Sequence, residues 1–205
     1  VERSRGLGDV YKRQILKSEN PMTIIAIGPL TNIAILLSTY PEVTDYIKEI
    51  VLMGGSTGRG NVTPLAEFNI YCDPEAAQVV FNSGLPLTMI GLDLAREAIF
   101  THDYVKSFKN QNETGQMLHD LFQHYRSEDF EYGVKIYDVF TILYLLQPQA
   151  FNVKEADVQI ELAGHYTKGA TVVDFESQYP NCTVVLSPVD KDYEDLFLNA
   201  LSYCK

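Results

Sequence analysis

The sequence predicts an α/β protein built on an open, mostly parallel sheet flanked by helices. Three observations carry that prediction. Short, continuous apolar runs rich in β-branched residues recur in the first half of the chain, as strands buried on both faces require. Each run gives way within a few residues to a helix start signal, across a short connection of the kind that joins parallel strands. Three more such runs follow a mainly helical stretch near the C-terminus.

Residues 23–27 form the first strand pattern, broken by Gly28-Pro29. Thr31 is placed to cap a helix carrying Ile33, Ala34, Leu36 and Leu37, which stops near Tyr40-Pro41. Residues 50–53 repeat the buried-strand signature. Asp73 as cap, Pro74 at the first helical position and Glu75 in the first turn open a second helix. Its inward stripe is Ala76, Ala77, Val80 and Phe81, and Gly84-Leu85-Pro86 ends it. Residues 87–92 are a third strand running up to Asp93. Thr101 caps a mainly helical stretch that reaches Gln147. Residues 158–162, 171–175 and 183–186 read as strands, closed by a helix from Asp192 to Tyr203. With no internal repeat and no low-complexity linker, residues 15–205 are expected to form one domain.

Residues 1–14 (VERSRGLGDVYKRQ) stand apart. They are basic, show neither helical nor strand period, and lack the apolar centre of a secretory signal. They read as a non-native segment, foreign coding sequence joined to a chain without its true beginning, or as a disordered native tail.

Among 205 residues, 46% are apolar and 21% charged, which suits a globular domain with a substantial core. A formal net charge of −11 argues against binding a phosphate backbone, so no nucleic-acid partner is expected. Cys72, Cys182 and Cys204 are scattered and lack CxxC spacing, which supports neither a disulfide framework nor structural zinc. A reducing, cytoplasmic setting follows from that usage. No apolar run approaches the roughly 20 residues that cross a bilayer, so no membrane partner is expected.

The chemistry is concentrated between Met53 and Asp73, in a glycine-rich connection leaving a buried strand. Open α/β sheets place ligands at the carboxyl ends of their strands. Asn61, Glu67 and Asn69 offer amide donors and acceptors plus one carboxylate, a lining that suits a polyhydroxyl compound. On these residues alone a plainer reading stays open. Asn61 is then a turn residue after Gly60, Glu67 is solvated, and Asn69 caps the local loop.

The wider text resembles a known family. Gly28-Pro29-Leu30-Thr31-Asn32-Ile33-Ala34, Met53-Gly54-Gly55, the string from Gly60-Asn61-Val62-Thr63-Pro64 through Leu65-Ala66-Glu67-Phe68-Asn69, and Asp73-Pro74-Glu75-Ala76-Ala77 resemble the inosine-uridine-preferring nucleoside hydrolases. The likeness continues through Gly91-Leu92-Asp93 and the segment Gly164-His165-Tyr166-Thr167-Lys168-Gly169-Ala170-Thr171-Val172-Val173-Asp174.

That resemblance implies hydrolysis of the N-glycosidic bond of ribonucleosides to ribose and free base. The cofactor implied is Ca2+, held by carboxylates, gripping ribose hydroxyls and lowering the pKa of a bound water that a second carboxylate deprotonates. It further implies that Asn61 and Glu67 contact the 5′ side of ribose, and that Met53 lies against the sugar. Asn69 would contact the lower hydroxyls and the developing ring charge. The Ile27 carbonyl and Asp138 would be metal ligands, with Asp138 also reaching the sugar. Asp138 stands before an apolar helix as well, so capping is a compatible role. Tyr125 resembles an aromatic position over the base pocket. A homo-oligomer is implied too.

Two departures bear on the chemistry. Tyr137 occupies the position where many members carry a histidine assigned to the leaving base; it can stack and donate a proton, but with an ordinary pKa of about 10 it is a weaker acid. The family also opens with an aspartate cluster, Asp-x-Asp-x-x-x-Asp-Asp, whereas before Met22 the only aspartate here is Asp9. The first strands are therefore expected to be missing, and the chain as given to bind calcium weakly and turn over nothing. Two rivals remain. One is a non-catalytic nucleoside- or ribose-binding protein. The other treats residues 54–60 as a phosphate cradle, although no Lys-Ser/Thr follows the glycines.

Overall fold

The computed structural model describes residues 7–124 and 133–205. These fall into two compact units. One takes the described residues up to Asp93 together with Val153–Leu186, and the other those of Leu94–Asn152 with Ser187–Lys205.

The first unit is built on a six-stranded sheet in the order β1-β2-β3-β8-β6-β7. Strands β1 (Met22–Ala26), β2 (Ile47–Met53), β3 (Leu87–Ile90) and β8 (Cys182–Pro188) run parallel, with Ala26 opposite Leu52, Met53 opposite Ile90 and Ile90 opposite Val185. β6 (Phe151–Ile160) and β7 (Thr171–Asp174) pair antiparallel. This is the mostly parallel α/β sheet flanked by helices that the apolar runs predict. Parallel register brings the carboxyl ends of β1, β2 and β3 to one edge, from which Ile27, Gly54 and Gly91 emerge.

Helix α2 (Thr31–Thr39) buries Ala34, Leu36 and Leu37, and α4 (Pro74–Phe81) buries Ala76, Ala77, Val80 and Phe81. These stripes pack with Ile50, Leu52, Met89 and Ile70 in one core. Fully burying a Val or Phe side chain contributes roughly 1.5–3 kcal/mol, so the α4 stripe is a principal anchor of the sheet. Asp73 caps α4 as expected, accepting the Ala76 N–H at 3.0 Å. Thr31 does not act as a cap. It is the first residue of α2, after Leu30, and its hydroxyl donates instead to the Asp73 carboxylate. The two helices are thereby tied at their starts.

From Leu7 onward the N-terminal stretch has a regular structure, although no helical period is visible in its sequence. Leu7–Lys17 is a helix, α1. Ile15 is buried, Tyr11 packs against the same core, and Lys12 pairs with Glu42 at 2.7 Å while lying over the Tyr40 ring at 4.0 Å. The reason is the i, i+4 spacing of Tyr11 and Ile15, a helical stripe too short to read as a period. β1 is only half covered, whereas β3 is buried throughout. Ile25 is exposed, and a cavity of about 230 Å³ lined by Tyr11, Ile15, Ile25 and Ile33 opens beside it.

Among its described residues the second unit is mainly helical, with a short antiparallel pair β4 (Ile99–Phe100) and β5 (Val134–Lys135). Thr101 caps α6 (His102–Ser107) by accepting the Tyr104 N–H. α5 (Leu92–Glu97) leads into the unit, and α7 (Glu113–His124), α8 (Val139–Leu146) and α9 (Asp192–Ser202) follow. Its core is aromatic. Phe100 stacks on Tyr193 at 5.9 Å and meets Tyr104, Phe108, Phe140 and Phe197 edge-on. The Tyr104 hydroxyl donates to the Glu194 carbonyl, which satisfies the one polar group of a half-buried ring.

Candidate functional site

Four of the residues singled out by the sequence meet at the carboxyl tip of β2. Met53 ends the strand and is buried, and the chain then turns through Gly54-Gly55 with Gly55 at φ +76°. A Cβ on Gly55 would stand 2.7 Å from the Met89 sulfur, so only glycine serves there. The loop returns at Glu67, which is only 3% exposed. Its Oε2 accepts three backbone N–H groups, from Gly55 at 3.0 Å, Asn69 at 2.9 Å and Ile70 at 3.2 Å. Glu67 thus caps α3 (Phe68–Cys72), where a carboxylate also meets the favourable end of the helix dipole. The solvated reading of Glu67 is overturned.

Asn69 is 8% exposed, and its Nδ2 donates to the Met53 carbonyl at 2.9 Å. With Nδ2 committed there, the amide presents Oδ1 as an acceptor on its other side. Asn61 is exposed, and its Oδ1 accepts the Phe68 N–H at 2.9 Å. Three polar side chains and one thioether therefore surround a single strand end, each fixed by backbone hydrogen bonds or burial. Rigidity of this kind suits recognition of a small polyhydroxyl ligand.

Ile27 follows β1 directly and is 54% exposed. Parallel register carries it to the level of Met53, so its main chain leaves the sheet at the same edge. In the second unit, Asp138 precedes α8. Its side chain makes no capping hydrogen bond; instead its carbonyl accepts the Thr141 hydroxyl at 2.6 Å and the Thr141 N–H at 3.1 Å. The capping role is therefore taken by main chain and Thr141, which leaves the carboxylate uncommitted to the helix. Asp138 is exposed, yet partial desolvation raises its carboxyl above the ordinary carboxylate range. Tyr137 beside it is half-buried. Tyr125 lies outside the described residues.

Two residues important to the loop were not singled out by sequence reasoning as site residues. Asp93 Oδ2 accepts the Thr57 N–H at 2.6 Å, and Thr171 Oγ1 accepts the Ser56 N–H at 3.0 Å. Both stand in the motif segments Gly91-Leu92-Asp93 and Gly169-Ala170-Thr171, the only signal that could have found them. Among the described residues, no group of three or more His, Cys, Asp or Glu side chains comes together in a way that could hold a metal ion. Calcium takes six to eight oxygens. The described side chains do not by themselves make a calcium cage.

A model of the family described as inosine-uridine preferring nucleoside hydrolase matches residues 4–195. The chain belongs to that family. A non-specific ribonucleoside hydrolase, RihC, of Escherichia coli O127:H6 (strain E2348/69 / EPEC) is 49% identical over 162 residues, which cover 79% of this chain and 53% of that protein. This nucleoside hydrolase-family chain thus spans about half the length of the curated relatives it matches. Among solved structures, a purine-preferring ribonucleoside hydrolase from Gardnerella vaginalis superposes with a TM-score of 0.86 at 28% identity, covering 97% of this chain and 66% of that one. An inosine-uridine preferring nucleoside hydrolase from Bacillus anthracis, 22% identical with a TM-score of 0.83 over 97% of this chain and 65% of that one, shares the fold.

Proposed function

We propose that the whole protein hydrolyses the N-glycosidic bond of ribonucleosides to ribose and free base. The observation that carries this reading is the meeting of Met53, Asn61, Glu67 and Asn69 at one strand tip in a chain of this family. Asn61 and Glu67 bind the 5′ side of ribose, and Met53 lies against the sugar ring. Asn69 directs Oδ1 toward the lower hydroxyls and the ring, where positive charge develops as the base departs. Fixed acceptors aimed at that charge stabilise an oxocarbenium-like transition state because they need no reorganisation as it forms.

Tyr137 stacks on the leaving base and supplies its proton. The cofactor we propose is Ca2+, with the Ile27 carbonyl and Asp138 among its ligands and further carboxylates from sequence outside these 205 residues. Residues 15–205 would belong to the hydrolase domain. The 205-residue chain alone then releases no measurable ribose. Cytoplasmic residence and a homo-oligomeric state belong to the same proposal. Among the described residues, no helix is long and apolar enough to cross a membrane.

A non-catalytic ribose- or nucleoside-binding protein is the rival reading, favoured by Tyr137 standing where a better acid is expected. One experiment separates the two. Ribose release from inosine and uridine is measured for the intact protein with calcium, after chelation, and for the 205-residue chain. Calcium-dependent release by the intact protein alone supports the proposal. Nucleoside binding without release overturns it in favour of the rival.

A further inference from the structure

We propose that Thr171 is a positioning residue for the sugar-binding loop, acting with Asp93 through the backbone of residues 55–57. The inference rests on the reading of that loop given above. Thr171 opens β7, an end strand of the sheet among the described residues, and its hydroxyl reaches to the loop. It accepts the Ser56 N–H at 3.0 Å and donates to the Ser56 carbonyl at 2.5 Å, joining residues 115 positions apart. Among side chains of this size only a hydroxyl can satisfy the donor and the acceptor of one residue at once.

Asp93 holds the next residue through the 2.6 Å bond from the Thr57 N–H. The Gly55 carbonyl accepts the Leu92 N–H at 3.0 Å, so three successive residues of the loop are fixed from outside it. The far end of the loop is fixed by the same segment. Ala66 bridges to Ala170, immediately before Thr171. A Cβ on Gly60 would fall 2.2 Å from the Ala66 carbonyl oxygen, showing how closely the loop folds on itself. Lys168 pairs with Glu75 at 2.9 Å and secures the turn that presents these residues.

Consecutive residues Ala170 and Thr171 therefore hold the two ends of the loop together. The Glu67 carboxylate closes the same circuit by accepting the Gly55 N–H. Loss of the Thr171 hydroxyl strands both backbone groups of Ser56 and loosens Gly55, the residue against which Glu67 is aligned. The consequence for a bound sugar is misplacement of Glu67 and Asn69, transmitted through the backbone of Gly55 and Ser56.

The test compares Thr171→Val and Thr171→Ser in the intact protein by amide hydrogen exchange at residues 55–57, melting temperature and ribose release from inosine. Thr171→Val is expected to raise exchange at Ser56 and Thr57 about tenfold, to slow ribose release about tenfold and to lower the melting temperature by several degrees. Thr171→Ser keeps the hydroxyl and is expected to restore exchange and release. Unchanged exchange in Thr171→Val overturns the proposal, as does equal damage from serine and valine, which would assign the effect to methyl packing. If the valine variant fails to accumulate, Thr171→Ala makes the same comparison with serine. If the wild-type protein releases no ribose, the exchange data still decide the role of Thr171, and only the hydrolase reading falls.

Discussion

The Glu67 carboxylate closes a loop onto its own beginning by accepting the Gly55 N–H across twelve residues, while also capping α3. Because one oxygen serves three N–H donors in a buried place, its replacement by an amide has a defined cost. Glu67→Gln can turn an NH2 toward those donors or keep a weaker neutral acceptor. Either way the variant is expected to lose about 1–3 kcal/mol of stability, read by chemical denaturation, and to weaken ribonucleoside binding. Unaltered stability would show that the carboxylate is not organising the loop.

Asn69 depends on its donor. Asn69→Asp places a carboxylate against the Met53 carbonyl where Nδ2 now donates at 2.9 Å. Repulsion between two acceptors is expected to displace the side chain and lower kcat of the intact protein about 100-fold, with the larger share in kcat rather than KM if Asn69 acts on the transition state. An effect confined to KM would reduce Asn69 to ground-state binding.

Tyr137 makes a separable claim. Tyr137→Phe retains stacking and removes the proton, so release of a poor leaving group is expected to slow by about 100-fold, while a nucleoside analogue with an easily departing base is spared. Equal losses on both substrates would remove Tyr137 from leaving-group chemistry.

The aromatic core of the second unit sets an alkaline limit. Burial, reinforced by the nearby Glu194 charge, pushes the Tyr193 phenol up to about 12 and raises Tyr104 further still. Unfolded tyrosine ionises near pH 10, so above about pH 10 the unfolded chain releases protons that the folded one retains. The contribution is whole below that pH and is lost as pH rises through the folded values. Denaturation midpoints should fall steeply above about pH 10, and Tyr193→Phe should flatten that fall. A midpoint independent of alkaline pH would contradict the buried, neutral phenols.

Thiol reactivity offers a simple check on the first unit. Cys182 is buried and its thiol is pushed up to about 12 by desolvation, whereas Cys72 and Cys204 are exposed. Under native conditions alkylation should modify Cys72 and Cys204 and spare Cys182, since the thiolate is the reactive form. Prompt labelling at Cys182 would place β8 outside the core.

Much of this was legible in the sequence where local signals agree with packing. The runs at residues 23–27, 50–53 and 87–92 overlap β1, β2 and β3, although β1 ends at Ala26 and β3 at Ile90, and Asp73 caps the helix its Pro-Glu pair announces. The signals failed where a side chain's partner lies far away in sequence. Thr31 has a good cap's chemistry, but Asp73, 42 residues on, takes its hydroxyl. Glu67 reads as solvated because carboxylates usually are, and three converging N–H groups become visible only once the loop closes. α1 was illegible because one turn of contacts by Tyr11 and Ile15 is too short to register as a period. The cluster Met53, Asn61, Glu67 and Asn69 could be anticipated because its members lie within seventeen residues of chain. The hold exerted by Thr171 on Ser56 spans 115 residues, so only its motif segment marks it.

The half-covered outer strand has a practical meaning. Among the described residues, β1 presents a row of main-chain groups with no neighbouring ladder and an uncovered isoleucine, Ile25, in a stretch of almost unbroken hydrocarbon side chains. Such a margin is a template on which another polypeptide can align. Clouding of concentrated samples of this chain should therefore begin at that margin, and a lysine placed at position 25 should delay it.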